Sequence, residues 1–122
     1  MKHNFRELQI WKVGIDIAVN TYQYCLSFPK EELFGLSSQM KKAAVSIPSN
    51  IAEGCGRGTD AQLVHFLDIS LGSACELETQ VIIAQKLRYI PLIEADNWIE
   101  ELHSEQRRIR AFRDKIDAQK PR

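Results

Sequence analysis

We predict from the sequence an all-α protein: an antiparallel up-down-up-down four-helix bundle with a proline-kinked second helix. Apolar residues recur at helical spacing in four segments, whereas alternation with a period of two never persists beyond a few residues. Short links join the segments, which favours antiparallel packing of neighbouring helices. A length of 122 residues is enough for one core and too short for two, so we expect a single domain over residues 1–122. The predicted helices span about residues 5–27, 36–54, 60–87 and 92–117.

The first predicted helix is apolar around much of its circumference. It begins after Asn4, which forms a capping box with Glu7, and it ends before Pro29. The stripe that we predict to face the core consists of Leu8, Trp11, Ile15, Ala18, Tyr22 and Cys25. A second stripe beside it consists of Ile10, Val13, Ile17 and Tyr24. The second stripe either packs against neighbours in the same bundle or forms a subunit interface, and we favour the interface because a four-helix domain buries little on every side.

The second predicted helix contains Pro48 in its interior, at a cost of roughly 3 kcal/mol, because proline lacks a backbone donor and crowds the preceding turn. The small residues around it, such as Ser46, indicate a kinked and closely packed helix. The helix ends at Gly54, Gly56 and Gly58, which suit a left-handed C-cap and turn. A phosphate cradle is the alternative, but no strand precedes these glycines and the lysine and hydroxyl of a P-loop are absent.

The third and fourth predicted helices carry regular apolar seams. Thr59 and Gln62 form a capping box at the start of helix three, and Gly72 within that helix suggests the close approach of another backbone. The seam of helix three has the spacing of a left-handed bundle and consists of Leu63, Leu67, Ser70, Ala74, Leu77, Val81 and Ala84. Helix four begins after Pro91, and its predicted inward residues are Ile99, Leu102, Ile109, Phe112 and Ile116.

A polar stripe beside the apolar face of helix two is the best candidate for function. In one interpretation, Asn50 and Glu53 satisfy backbone groups that Pro48 leaves without partners. They would then join Ser73 or Glu76 of helix three in a structural polar network. In the other interpretation the stripe binds a ligand or partner, with Lys41, Lys42 and Arg57 as its cations. We favour the structural polar network. On helix two the polar stripe comprises Gln39, Ser46, Asn50, Glu53 and Arg57.

No residue pattern predicts catalysis or a cofactor. Glu100 and His103 match one Glu-x-x-His element of di-iron bundles, but that site needs a second such pair and two further glutamates. Neither His3 nor His65 follows a glutamate by three residues. Nucleophile-elbow and Cys-His signatures are absent as well. We therefore expect no enzyme activity, no bound metal and no cofactor.

The charges balance over the whole chain but not within helix four. Sixteen basic and sixteen acidic side chains give a formal net charge of zero, which predicts neither nucleic acid nor an anionic membrane as a partner. Residues 107–122 nevertheless hold seven cations against Asp114 and Asp117, a local charge of 7 − 2 = +5. Complementing the helix dipole is one explanation, and contact with RNA or DNA phosphates is the other. The candidate contacts in this tail are Arg107, Arg108, Arg110 and Arg113.

The sequence shows no targeting or membrane-spanning segment. Its N-terminal residues lack the continuous apolar stretch of a signal peptide, and no run approaches the roughly 18 apolar residues that cross a bilayer. We expect a cytoplasmic protein without a membrane partner.

Two long motifs carry a family resemblance. GLSSQMKKAAVSIPSNIAEGCGR, from Gly35 to Arg57, and FLDISLGSACELETQ, from Phe66 to Gln80, are similar to the bacterial four-helix-bundle family of proteins encoded in intervening sequences of 23S ribosomal RNA genes. FRELQIWK and FPKEELFGL extend the match. The resemblance implies a compact antiparallel bundle, a homopentamer and no established enzyme activity. A related branch, the accessory variability proteins of diversity-generating retroelements, uses basic pentamer surfaces to engage nucleic acid and a reverse transcriptase.

The resemblance extends to individual positions. Lys41 and Lys42 stand where the family has two basic residues, whereas Leu71 replaces an expected polar or basic residue, so no cationic surface is implied there. We predict a non-enzymatic interaction module that forms a cyclic homo-oligomer, a pentamer by resemblance. RNA, DNA or another protein are the alternative partners. The other matching positions are Ser46, Pro48, Asn50, Glu53, Gly54, Arg57, Gly72, Ser73, Glu76 and Glu78.

Overall fold

The computed structural model describes residues 3–119, and this part of the chain forms four α-helices and no strand. Two 3-10 turns, Phe5–Glu7 and Lys30–Glu32, precede the first and second helices. The all-α, four-helix prediction is confirmed. Lys120 and Arg122, which we counted in the basic tail, lie outside the described residues. The helices are α1 (Gln9–Cys25), α2 (Leu36–Cys55), α3 (Asp60–Lys86) and α4 (Leu92–Asp117).

Local hydrogen bonds explain where the helices begin. The Asn4 side chain accepts a hydrogen bond from the backbone N–H of Arg6 at 3.2 Å, so it caps the first 3-10 turn instead of α1. The predicted start of helix one at residue 5 is therefore wrong, and α1 begins at Gln9 without a side-chain cap. The cap predicted for α3 is confirmed, because Thr59 Oγ1 accepts from the backbone N–H of Gln62 at 3.2 Å.

Residues near the end of one helix contact residues near the start of the helix packed against it. Gly54, near the end of α2, lies against Phe66, near the start of α3. The rings of Tyr24, late in α1, and Trp98, early in α4, stack with centroids 4.4 Å apart. Contact is most extensive between α2 and α3, and α1 packs on α4, whereas α2 and α4 do not contact each other. Within residues 3–119, no helix combines the length and apolar content needed to cross a bilayer.

The rotation of α1 about its axis differs from the prediction. Ile15 and Tyr22, which we predicted in the core, expose 37% and 47% of their surface. The residues predicted as a subunit interface lie against the core. Ile10 and Ile17 are buried in it, and Val13 and Tyr24 are half-buried against it.

A close approach at Gly14 accounts for this rotation. A Cβ atom added to Gly14 would lie 3.2 Å from the Cβ of Pro48 and 3.3 Å from Oε2 of Glu105. The glycine thus lets α1 lie close to both α2 and α4, and only the face that carries it can point inward. Because Ile10 and Ile17 flank Gly14 on that face, they become core residues.

Glycines serve close packing at other positions than we predicted. No glycine within residues 3–119 has a positive φ, so the left-handed cap predicted after α2 is wrong; Gly56 ends α2 with a φ of −79°. A Cβ added to Gly54 would lie 2.9 Å from the Cβ of Phe66, which makes Gly54 the point where α3 comes close to α2. Nothing lies within 4 Å of a Cβ added to Gly72, so the close approach predicted there is wrong.

Replacing Gly72 with alanine is expected to raise the free energy of unfolding by about 1 kcal/mol. The new methyl group would meet open space, and alanine restricts the unfolded chain and favours the helical backbone. Urea unfolding followed by circular dichroism measures the change. A lower midpoint for the variant would contradict this account of Gly72.

One carboxyl group lies in the core. Glu105 is fully buried on the inward face of α4, and neither of its carboxylate oxygens has a hydrogen-bond partner among the described residues. Burial is the main reason that the pKa of Glu105 is raised to about 8. The positive charge of Arg108 lowers this pKa, whereas the negative charge of Glu101 raises it further. The group is thus mostly a neutral acid at pH 7. The other buried residues of α4 are Ala95, Trp98, Leu102, Ile109 and Ile116.

Candidate functional site

Hydrogen bonds join α2 and α3 around Pro48. The hydroxyl oxygens of Ser46 and Ser73 lie 2.8 Å apart. The Asn50 amide donates to the Ser46 hydroxyl at 2.7 Å and to the Ser46 carbonyl at 2.8 Å. On the buried side, the Ser70 hydroxyl donates to the carbonyl of Ile47 at 2.8 Å. The structure thus brings together three residues of the predicted polar network, Ser46, Asn50 and Ser73.

The other predicted network residues lie outside these hydrogen bonds. Glu53 forms an ion pair with Arg57, with Oε1 and Nη2 2.6 Å apart on the surface of α2. Gln39 and Glu76 lie farther along the same two helices, where they line a groove.

The groove between α2 and α3, hereafter the α2/α3 groove, has a volume of about 320 Å³. The hydrogen-bonded serines close one end of it, and the buried methyl group of Ala43 contributes to its lining. Gln80 is 7% exposed, and its Oε1 is buried without a hydrogen-bond partner among the described residues. We did not predict Gln80, although its position three residues after Leu77 and four before Ala84 places it beside the core seam. The lining residues are Gln39, Lys42, Ala43, Ser46, Ser73, Glu76 and Gln80.

A second surface lies between α1 and α2 and is almost entirely apolar; we call it the α1/α2 face. It includes Val19 and Val45, which are 51% and 41% exposed, and a hollow of about 330 Å³. The exposed ring of Tyr22 extends it along α1, with the Lys41 ammonium 5.0 Å from the ring centroid. The hollow is lined by Trp11, Ile15, Ala18, Val19, Val45, Pro48, Ser49 and Ala52.

The predicted cations lie on two helices that do not contact each other. Lys41, Lys42 and Arg57 belong to α2, whereas the arginines of the basic tail belong to α4. Arg113 is engaged within the chain, since its Nε lies 2.9 Å from Asp68 and its Nη1 lies 3.3 Å from Asp117. Arg107, Arg108 and Arg110 are exposed on α4, where Arg107 donates to the Ser104 hydroxyl at 3.1 Å.

His103 pairs with an acidic residue of α3. Its Nε2 lies 3.0 Å from Oε2 of Glu78, and the Gln106 amide donates to Oε1 of the same carboxylate at 3.0 Å. Burial alone would raise the pKa of Glu78, but the hydrogen bonds from His103 and Gln106 lower it overall. Residues 3–119 contain no group of three or more His, Cys, Asp or Glu side chains placed to hold a metal ion.

The fold and its surfaces define a four-helix-bundle protein with a polar α2/α3 groove and an apolar α1/α2 face. The chain belongs to the 23S rRNA-intervening sequence protein family, which matches residues 6–111, so the predicted family resemblance is confirmed. No curated protein matches it.

A solved structure shares this fold. It is a protein of unknown function from the S23 ribosomal protein family of Bacteroides thetaiotaomicron, with 19% sequence identity and a TM-score of 0.79. The match covers 86% of this chain and 95% of that one, and at this identity it shows the fold alone.

Proposed function

We propose that this protein is a non-enzymatic interaction module that assembles with copies of itself, through the α1/α2 face, into a closed cyclic homo-oligomer. The observation that carries the proposal is the apolar face left exposed on α1. Ile15, Val19 and Tyr22, each more than a third exposed, follow one another at spacings of four and three, the spacing of a helix that packs along another helix. A helix that the chain itself does not supply would complete this packing.

The shape of the face supports a second copy as the occupant. The side chain of Tyr22 is about half exposed on α1, whereas the neighbouring hollow is lined in part by the small residues Ala18, Ser49 and Ala52. A protruding side chain beside a hollow suits a head-to-tail contact, in which Tyr22 of one copy enters the hollow of the next. Such contacts close into a ring when the rotation between copies permits. The pentamer implied by the family resemblance is the stoichiometry that we propose.

Replacing Val19 with glutamate is expected to convert the oligomer into a monomer. The side chain is half exposed, so the fold tolerates the charge, whereas burial of an unpaired carboxylate between copies would cost several kcal/mol. Light scattering on a size-exclusion column at micromolar concentration measures the mass of each variant. Ile93→Glu is the matched control, because Ile93 is 72% exposed at the start of α4, outside the α1/α2 face.

Three results decide this proposal. The proposal is supported if the wild type and Ile93→Glu are multimers and Val19→Glu is a monomer. A monomeric wild type would overturn the assembly. Equal masses for the wild type and Val19→Glu would overturn the assignment of the face.

Nucleic-acid binding is the second candidate function, and the exposed arginines of α4 favour it. Arg107, Arg108 and Arg110 occupy three of the four positions from 107 to 110, and a cyclic assembly would repeat this cluster in every subunit. RNA or DNA held in this way would leave the protein as salt increases, because binding releases counterions. Fluorescence anisotropy with labelled single-stranded RNA tests it, and absence of binding at low ionic strength would remove it.

A further inference from the structure

The α2/α3 groove is built from matched polar residues on two helices. On α2, Gln39, Lys42 and Ser46 follow one another at spacings of three and four; on α3, Ser73, Glu76 and Gln80 do the same. Because the serines contact each other and the two helices run in opposite directions, the glutamines lie toward the other end of the groove. The volume of about 320 Å³ is at the lower end of the range of roughly 300–1,000 Å³ found for ligand pockets.

Gln80 supplies a second observation that points to a ligand. Its carboxamide oxygen is buried and has no hydrogen-bond partner among the described residues, although the side chain lines the groove. An unsatisfied buried acceptor costs about 1–3 kcal/mol, which a ligand donor would offset once the terminal carboxamide of Gln80 turns toward the groove. The donor must be an N–H or O–H group, since a carbonyl oxygen only accepts.

The charges along the groove define the class of ligand. Lys42 on α2 and Glu76 on α3 contribute one cation and one anion to its lining. Glu76 disfavours phosphates and other purely anionic ligands, and Lys42 disfavours purely cationic ones. We infer that the α2/α3 groove binds a small zwitterion of the free amino acid type, with its carboxylate toward Lys42, its ammonium group toward Glu76 and an N–H or O–H donor on Gln80 Oε1.

Titration with L-serine and L-glutamine tests this inference, with binding followed at the methyl signal of Ala43 by NMR. Ala43 lines the groove, and Ala61, exposed near the start of α3, is the internal reference. We expect the Ala43 signal to shift and saturate while that of Ala61 stays unchanged. Glycine betaine carries the same two charges without an N–H donor, and acetate carries the negative charge alone, so both are expected to bind at least tenfold more weakly.

A matched pair of variants tests the role of Gln80. Gln80→Leu keeps the side-chain size but removes the acceptor, and it is expected to weaken binding of L-serine and L-glutamine about tenfold. Gln85→Leu makes the same change on α3 outside the groove lining and is expected to bind like the wild type. Thermal unfolding of both variants shows whether they are folded.

Four results would overturn the inference. The first is no shift with either amino acid, which would leave ordered water as the partner of Gln80. The second is equal binding of acetate, which would exclude the zwitterion class. The third is unchanged binding by a folded Gln80→Leu variant. The fourth is an Ala43 signal that follows protein concentration instead of amino acid concentration, which would make the groove a contact between copies.

Discussion

Replacing Glu105 with glutamine is expected to raise the free energy of unfolding at pH 7 by up to about 3 kcal/mol. Burial holds the pKa of Glu105 at about 8 in the folded protein, compared with 4.5 for the free group. The folded state must therefore keep a proton that the unfolded chain releases. Glutamine has nearly the same shape and is neutral at every pH, so the variant avoids this cost.

The sign of the pH dependence follows from the raised pKa. The contribution of Glu105 to stability is fully present below about pH 4.5, decreases as pH rises, and is lost as pH passes through about 8. The difference in unfolding free energy between Glu105→Gln and the wild type should therefore grow steadily from about pH 5 to about pH 8. Taking the difference between the two proteins removes the effect of groups that do not interact with Glu105. Glu101 acts on Glu105 through its charge, so its influence is part of the measured difference.

Urea unfolding at a series of pH values measures this difference. Glu100→Gln is the control, because it makes the same chemical change at an exposed position of the same helix. Equal slopes for the wild type and Glu105→Gln would show that Glu105 is ionised and solvated in the folded protein, contrary to the structure.

Replacing Gly54 with alanine is expected to lower the free energy of unfolding by about 2 kcal/mol. The added Cβ would lie 2.9 Å from the Cβ of Phe66 and 3.0 Å from Cδ1 of Leu63. The Cβ of Phe66 is attached directly to the backbone, so α3 itself would have to move away from α2. This strain exceeds the gain of up to about 1 kcal/mol from the higher helix propensity of alanine.

Gly72→Ala is the matched comparison for Gly54→Ala, because it makes the same chemical change in a helix where the methyl group meets nothing. The two variants should move the urea midpoint in opposite directions. Changes of the same sign would contradict the assignment of the close contact between α2 and α3 to Gly54.

The ends of three helices could be predicted closely because local signals determine them. The predicted ranges 36–54, 60–87 and 92–117 differ by at most one residue at each end from α2, α3 and α4. Thr59 caps α3 with its own hydroxyl, and Pro91 precedes the first residue of α4. Such signals involve residues a few positions apart in the chain. The start of α1 was missed because Asn4 caps a separate 3-10 turn.

The candidate surfaces could be predicted only in part. The polar residues of α2 and Ser73 were found because their spacing places them on one side of each helix. The burial of Gln80 and Glu105 was missed, although each lies at core spacing; Glu105 follows Leu102 by three residues and precedes Ile109 by four. In the sequence, a polar residue at such a position interrupts an apolar stripe. Only the packing of neighbouring helices shows whether that residue is buried.

Local periodicity and capping determine that this chain forms four helices and where they begin and end, because those preferences act within one turn of the backbone. Tertiary packing decides which side of α1 faces inward, since its two apolar stripes are nearly equivalent by themselves. The small contact surface of Gly14 against Pro48 and Glu105 breaks that equivalence. The same packing exposes Val19 and buries Ile17, so which apolar residues remain available to a partner depends on contacts between segments far apart in the chain.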